Sequence, residues 1–138
     1  MKVIIAGSRS ITSYDVVDLA IRKACEEHNI TITEIIEGEA PGVDKLARMW
    51  AINNNIPYDP NPADWKNINA PGAKVRQGRY GPYNALAGYW RNEIMANKGQ
   101  ALIAIWDGKS RGTLDMINKA RRQGLLVVIV DISKWGGN

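Results

Sequence analysis

Residues 2–10 read Lys2-Val3-Ile4-Ile5-Ala6-Gly7-Ser8-Arg9-Ser10, and this stretch decides the fold. A short β-branched run that opens into glycine and small polar residues is the pattern of a buried strand entering a loop. Downstream, Ser13 is an N-cap candidate, Asp15 lies in the first turn, and Val16, Val17, Ala20, Ile21 and Ala24 recur at helical spacing until Asn29. The alternation then continues. Ile32 to Glu37 reads as a strand stopped by Gly38, and Val43, Leu46, Ala47, Trp50 and Ala51 form one face of a helix that ends at Asn53-Asn54-Asn55. Ile56 to Tyr58 is a weak third strand. Asn84 to Asn97 is a helix, Ala101 to Trp106 a fourth strand, Thr113 to Gln123 a helix stopped by Gly124, and Leu125 to Asp131 a fifth strand. The glycine-ended tail is expected to be loose.

Apolar strands alternating with helices call for a parallel sheet covered on both faces. Right-handed crossovers then favour a Rossmann-like doubly wound α/β sheet of about five strands, order 3-2-1-4-5, as a single domain over residues 1–138. An irregular insertion at about 59–83 interrupts the pattern. It holds Pro60, Pro62, Pro71 and Pro82, so no long element fits there. A loop of that length within a compact domain is usually functional or disordered rather than filler.

Composition narrows the classes. Apolar residues make up 45% of the 138 and charged residues 23%, which is globular. A single cysteine, Cys25, leaves no intrachain disulfide and reads as a small hydrophobe. No basic leader, h-region or membrane-length apolar run is present, so a cytoplasmic protein without a membrane partner is expected. The net charge of +4 is enriched in the middle of the chain, at Lys66, Lys74, Arg76, Arg79 and Arg91. With no groove-reading motif, this excess suits a small polyanion at least as well as nucleic acid. His28, the only histidine, ends the first helix without metal-ligand spacing around it, which argues against a catalytic triad and a metal site. No cofactor is expected.

In an open parallel sheet, ligands bind outside the carboxyl ends of the strands near the reversal of strand order. That rule selects three loops. Gly7-Ser8-Arg9-Ser10 combines a close-approach glycine, two hydroxyls and a guanidinium. Gly38-Glu39-Ala40-Pro41-Gly42-Val43-Asp44 leads into a helix whose N-terminus suits an anion; Glu39 would need a hydroxyl, amine or cation, and Asp44 reads most simply as a cap. Asp107-Gly108-Lys109-Ser110-Arg111-Gly112-Thr113 offers amides and hydroxyls without Walker A spacing. The G-x-G-x-x-G dinucleotide fingerprint is also absent. Arg91 shares a helical face with Ala87, Ile94 and Met95, so it is expected to point inward and to need an anion.

Taken in order, GSRSI, GEAPGVDKLARMWA, PADW, AGYWRNEIM and WDGKSRGTLDMI resemble the SLOG superfamily, which joins Smf/DprA DNA-processing proteins with Lonely Guy cytokinin-activating enzymes. The likeness is greatest to its small stand-alone YspA-like branch, common in bacteria and their phages. It implies a nucleotide-derivative site made by Gly7, Ser8, Arg9, Gly38, Ala40, Gly42, Asp44, Arg91, Asn92, Gly108, Ser110, Gly112 and Thr113, to which the residue reading adds Glu39 and Asp107. It also implies a homo-oligomer, dimer or tetramer. The Lonely Guy-type motif Pro-Gly-Gly-x-Gly-Thr-x-x-Glu is broken, because the place of its glutamate is Met116 and Asp115 lies about 100° around the helix. Catalytic candidates are therefore confined to Arg91, Glu39 and Asp115, with Asp44 and Glu93 as further carboxylates. The expected function is binding of a phosphate-bearing nucleotide or nucleotide-derived signal, ADP-ribose-like or cyclic, as a sensor or sequestering protein, with Trp65, Trp90 or Trp106 stacking on the base. The alternatives are a nucleotide 5′-monophosphate phosphoribohydrolase and a single-stranded DNA binder using Tyr80, Tyr83 and Trp65.

Overall fold

The computed structural model describes residues 1–135. Its main sheet contains β1 (Lys2–Gly7), β2 (Glu34–Glu37), β3 (Tyr58–Pro60), β6 (Ala101–Trp106) and β7 (Leu126–Asp131), all parallel, in the order β3-β2-β1-β6-β7. Counting only sheet strands, this is the expected 3-2-1-4-5 arrangement, and the fold is Rossmann-like. β4 (Val75–Gly78) and β5 (Gly81–Asn84) form a separate antiparallel hairpin in the insertion. The helices are α1 (Tyr14–His28), α2 (Val43–Asn53), α3 (Ala87–Lys98) and α4 (Arg111–Arg122). The expectation of a loose tail falls partly on residues 136–138, outside the described residues.

Alternation along β1 divides the core in two. Val3 and Ile5 pack with the α1 and α2 residues Val17, Ile21, Ala47 and Trp50. Ile4 and Ala6 pack on the other face with the α3 and α4 residues Met95, Ala96, Met116 and Ile117. β1 and β6 lie side by side, Val3 opposite Ala101 through Gly7 opposite Ile105. Val3 to Ala6 and Ala101 to Ile105 are apolar throughout, as suits strands covered by helices on both faces. Burying each of Ile4, Ile5, Leu102, Ile103 and Ile105 contributes about 1.5–3 kcal/mol.

Element boundaries differ from the sequence reading for local reasons. The third strand starts at Tyr58 rather than Ile56, because its register pairs Tyr58 with Ile35 and Pro60 with Glu37. α3 begins at Ala87 rather than Asn84, because Asn84 belongs to β5 and its side-chain oxygen accepts from the Lys74 and Leu86 amides. α4 begins two residues early, at Arg111, since Ser110 is the cap and accepts from Thr113 N at 3.3 Å. α2 is entered through Gly42 with no side-chain cap, so the expected capping role of Asp44 is not the one it has.

Two glycines are required by close approach. A Cβ on Gly7 would stand 2.6 Å from Val43 Cγ2. Gly42 has φ +82°, and a Cβ there would stand 2.6 Å from Ser8 O and 2.7 Å from Arg9 Cα. These contacts press the start of α2 onto the loop after β1. Gly42→Ala is therefore expected to lower stability by about 2–4 kcal/mol, from backbone strain plus crowding, read as a lower urea midpoint. Gly108→Ala has the same φ but open space around its Cβ, and should cost only about 1–2 kcal/mol. Equal losses would show that packing against the β1 loop is immaterial.

Candidate functional site

The loops after β1 and β6 are tied together by one carboxylate. Asp107 Oδ1 accepts from the Lys109 and Ser110 amides at 2.8 and 3.0 Å, and Oδ2 accepts from Ser10 Oγ at 3.4 Å. Its own amide donates to the buried Ser8 Oγ at 3.2 Å. These bonds, the Lys109 amide foremost, hold the Asp107 carboxyl below the usual range and therefore ionised. Trp106 Nε1 donates to Ser110 O at 3.1 Å, which pins the turn into α4. Among the described residues, the amides of Arg9, Ser10, Arg111 and Gly112 have no protein acceptor. Free donors therefore remain on the β1 and α4 side.

The loop after β2 is different. Glu37 is fully buried at the end of the strand, and its Oε1 accepts from Glu39 N at 2.8 Å. Asp44 is 6% exposed, and its Oδ2 accepts from Ala40 N at 3.2 Å. In this turn the Glu39 and Ala40 amides are taken by the protein's own carboxylates and are not open to a ligand anion. Arg48 pairs with Glu37 at 3.2 Å and also with Glu39, and its guanidinium lies 5.2 Å from the Tyr58 ring centre. Burial pushes the Glu37 carboxyl up, against the opposing pull of the Glu39 amide and Arg48.

Arg91 lies across Gly38 from Asp44. It donates to Gly38 O, to Asn61 O at 3.4 Å and to Asn92 Oδ1 at 3.1 Å. A Cβ on Gly38 would stand 2.7 Å from Arg91 Cζ and 2.8 Å from Asp44 Oδ2, so only glycine leaves the two charges room. Burial lowers the Arg91 pKa, Asp44 opposes that, and the charge of Arg9 adds to it. Burial also pushes Asp44 up to about 6, with Arg91 pulling the other way. The helical face that carries these residues differs from expectation. Ile94 is 53% exposed, whereas Asn92 is buried and donates to Gly112 O and to Asp115 at 3.2 and 3.0 Å. Asn92 thus joins α3 to α4.

These elements enclose a cavity of about 460 Å³ at the carboxyl ends of the strands. Of the residues singled out from sequence, Gly7, Ser8, Arg9, Ala40, Asp44, Arg91, Asn92, Asp107, Ser110, Gly112 and Thr113 line it. Gly38 and Glu39 line a smaller neighbouring cavity. Gly42 and Gly108 line neither and serve the backbone. Asp115 does not line the cavity either, because it is bound by Lys119 at 2.7 Å and by Asn92. Met116 does, and it closes the floor with Ala6 and Met95.

Of the tryptophans, Trp65 lines the cavity, Trp90 lies on a separate shallow groove and Trp106 is used in the loop. The insertion positions Trp65. Its carbonyl accepts from Asn84 N at 2.7 Å, its ring meets Tyr83 edge to face at 6.4 Å, and it lies over Gly88, where a Cβ would be 3.0 Å from Cη2. Tyr80 is 95% exposed at the hairpin tip, away from the lining. Sequence reasoning missed Glu37, Gly88 and Tyr89. The first carried a signal, a carboxylate ending an apolar strand just before a glycine turn.

A family model described as the YspA, cpYpsA-related SLOG family matches residues 1–67. No curated protein matches the chain. Among solved structures, the chain is similar to DNA processing protein A (DprA) from Streptococcus pneumoniae, with 22% identity and a TM-score of 0.68. The match covers 99% of this chain and 52% of that one, so the chain spans about half the length of that protein. No helix among the described residues is long and apolar enough to cross a membrane.

The pair of charges flanking Gly38 makes a direct test. The Asp44 carboxyl carbon should titrate by NMR with a midpoint near 6, and Arg91→Met should move that midpoint higher by removing the cation that favours the carboxylate. Since the folded value lies above the unfolded one, Asp44 costs stability above pH 6, and the cost disappears as the pH falls below about 4. A midpoint near 3.8 would contradict the burial on which this rests.

Proposed function

We propose that this chain, whose residues 1–67 match a SLOG family model, is a binding protein for a phosphate-bearing nucleotide or nucleotide-derived signal, acting as a sensor or sequestering protein. The observation that carries this reading is the division of the 460 Å³ cavity into two chemistries. One side is a rim of Ser110, Gly112 and Thr113 at the start of α4 and Ser10 from the β1 loop, with Arg9 and Lys109 also in the lining. Free amides, hydroxyls and a helix N-terminus together favour a phosphate. The other side has an apolar floor of Ala6, Met95 and Met116 under Trp65 and Tyr89, which suits a planar base. A cavity of this size is of the order of those that hold small ligands.

Binding without turnover is favoured by Met116. A thioether on the cavity floor cannot accept a proton, and the adjacent carboxylate Asp115 is held by Lys119 and Asn92. A second reading, hydrolysis of the N-glycosidic bond of a nucleoside 5′-monophosphate, is supported by Asp44. This carboxylate lines the same cavity beside Arg91, and burial pushes its pKa up to about 6. In that reading Asp44 takes the proton of the attacking water, the proton passes to the departing base, and the products are free base and ribose 5-phosphate.

Calorimetric titration with AMP, with chromatography of the same mixture, separates the two. Saturable binding with AMP recovered intact is expected, and Trp65→Ala should weaken it by about 10- to 100-fold through loss of stacking worth about 1–3 kcal/mol. Release of adenine, abolished in Asp44→Asn, would establish the hydrolase instead. No binding across a panel of nucleoside 5′-phosphates would remove both.

A further inference from the structure

Residues 62–83 are attached to the domain by little besides their two ends. Among the described residues, no hydrogen bond or ion pair joins them to any residue outside 62–86. Within the segment the bonds are dense. Asn84 N donates to Trp65 O at 2.7 Å, Ala85 N donates to Lys74 O at 2.8 Å, and β4 pairs with β5 along its length. The ends, by contrast, are fixed. Asn61 N donates to Glu37 O at 2.8 Å and its Oδ1 accepts from Lys98 at 2.6 Å, while Leu86 is the cap residue of α3. Asn84 joins the two regimes, because its Oδ1 accepts from the Lys74 amide on one side and the Leu86 amide on the other, at 3.2 and 3.1 Å. A piece cross-linked within itself and tied to two fixed posts is built to move as one body.

Its contact with the domain is apolar. Of residues 62–83, Trp65 alone lines the main cavity, and its ring lies on Gly88 in the first turn of α3, where a Cβ would stand 3.0 Å from Cη2. Alongside, a gap of about 140 Å³ separates Pro62, Asp64 and Asn67 from Trp90 and Ile94. Lifting Trp65 therefore breaks no hydrogen bond to the domain and gives up only the burial of an indole that is already 37% exposed. Asn84 lines the same gap, and its Nδ2 is enclosed without an acceptor in the protein. Such a donor is a standing cost of the closed arrangement, and one that water relieves when the segment lifts.

We propose that residues 62–83 are a hinged lid on the main cavity, with Asn61–Pro62 and Asn84 as its hinges and the Trp65 ring on Gly88 as its latch. This deepens the nucleotide-binding reading above by giving the same site a gate, and it rests on that reading. Residue 88 is then glycine because the closed ring takes the space of a side chain. A ligand on the apolar floor under Trp65 gains that contact only in the closed arrangement, and so shifts the balance toward it.

The test is amide-nitrogen relaxation dispersion and saturation transfer on the full chain, with AMP as the ligand probe. In the free protein, the Trp65 indole N–H and the amides of Ala63, Ala85 and Gly88 should exchange between two states at one common rate on the μs–ms scale, while Ile5 and Ile103 stay silent. Trp65→Ala should raise the open population at least tenfold. Gly88→Ala, which crowds the ring, should raise it about threefold, and it decides the matter if circular dichroism shows Trp65→Ala to be unfolded. Saturating AMP should lower the open population at least tenfold. Flat profiles, unrelated rates at these sites, or an unchanged open population in the folded variants overturn the lid. AMP that binds by calorimetry yet leaves the exchange unchanged also overturns it, with nucleotide binding intact. If neither AMP nor other nucleoside 5′-phosphates bind, the nucleotide reading falls, and the exchange in the free protein decides the lid by itself.

Discussion

Two buried carboxylates, one ending β2 and one in the first turn of α2, constrain everything around the site. Glu37 and Asp44 flank a turn of glycine, alanine and proline, and each accepts a backbone amide that the turn would otherwise leave without a partner. Burying a carboxylate is costly unless hydrogen bonds and a cation offset the lost hydration. The chain supplies one arginine to each, Arg48 from α2 and Arg91 from α3. The turn after β2 is consequently a rigid, internally neutralised piece. It also explains why residue 38 has no side chain, since Arg91 and Asp44 converge over it.

That arrangement moves the electrostatic opening of the site to the opposite side. The Glu39 and Ala40 amides, committed to Glu37 and Asp44, are not available to a ligand, whereas the β1 loop and the first turn of α4 keep amides without a protein acceptor. Asp107 occupies the remaining loop amides there without blocking the helix N-terminus, because its bonds go to Lys109, Ser110 and Ser10. One negative group thus shapes each loop from within. What remains for a bound anion is the space bordered by Arg9, Arg91 and the start of α4.

The sheet order was legible because its evidence is local. KVIIA, ALIAIW and LLVVIVD are apolar on both faces, and the first two are each followed by a helical repeat, which leaves few ways to wind the chain. The convergence of the loops at residues 7–9, 40 and 107–113 followed from that winding. What was not legible depended on long-range partners. Nothing near Asp44 in sequence announces Arg91, 47 positions later, and the simpler capping role suggested itself for that reason. The hairpin at 75–84 was hidden by proline and glycine, which signal a turn but also tolerate an isolated two-stranded ribbon. Ile94 faces outward because α3 is rotated so that Ala87, Asn92, Met95 and Ala96 meet the core, about 100° round from the face centred on Arg91 that the sequence pattern suggested.

The same geometry bears on whether the site binds or reacts. A carboxylate useful for acid–base chemistry must reach a substrate proton and be free to change charge. Asp115 fails the first condition and Glu37, buried under Arg48, offers its oxygens to the chain itself. Asp44 meets both, yet its protonation would weaken the acceptor that holds Ala40 and remove the counter-charge of Arg91. Each proton transferred at Asp44 would therefore disturb the two groups that build the wall of the cavity. A carboxylate that burial disfavours while charged, yet that in this form accepts the Ala40 amide and faces Arg91, is better suited to fixing a ligand than to repeated turnover.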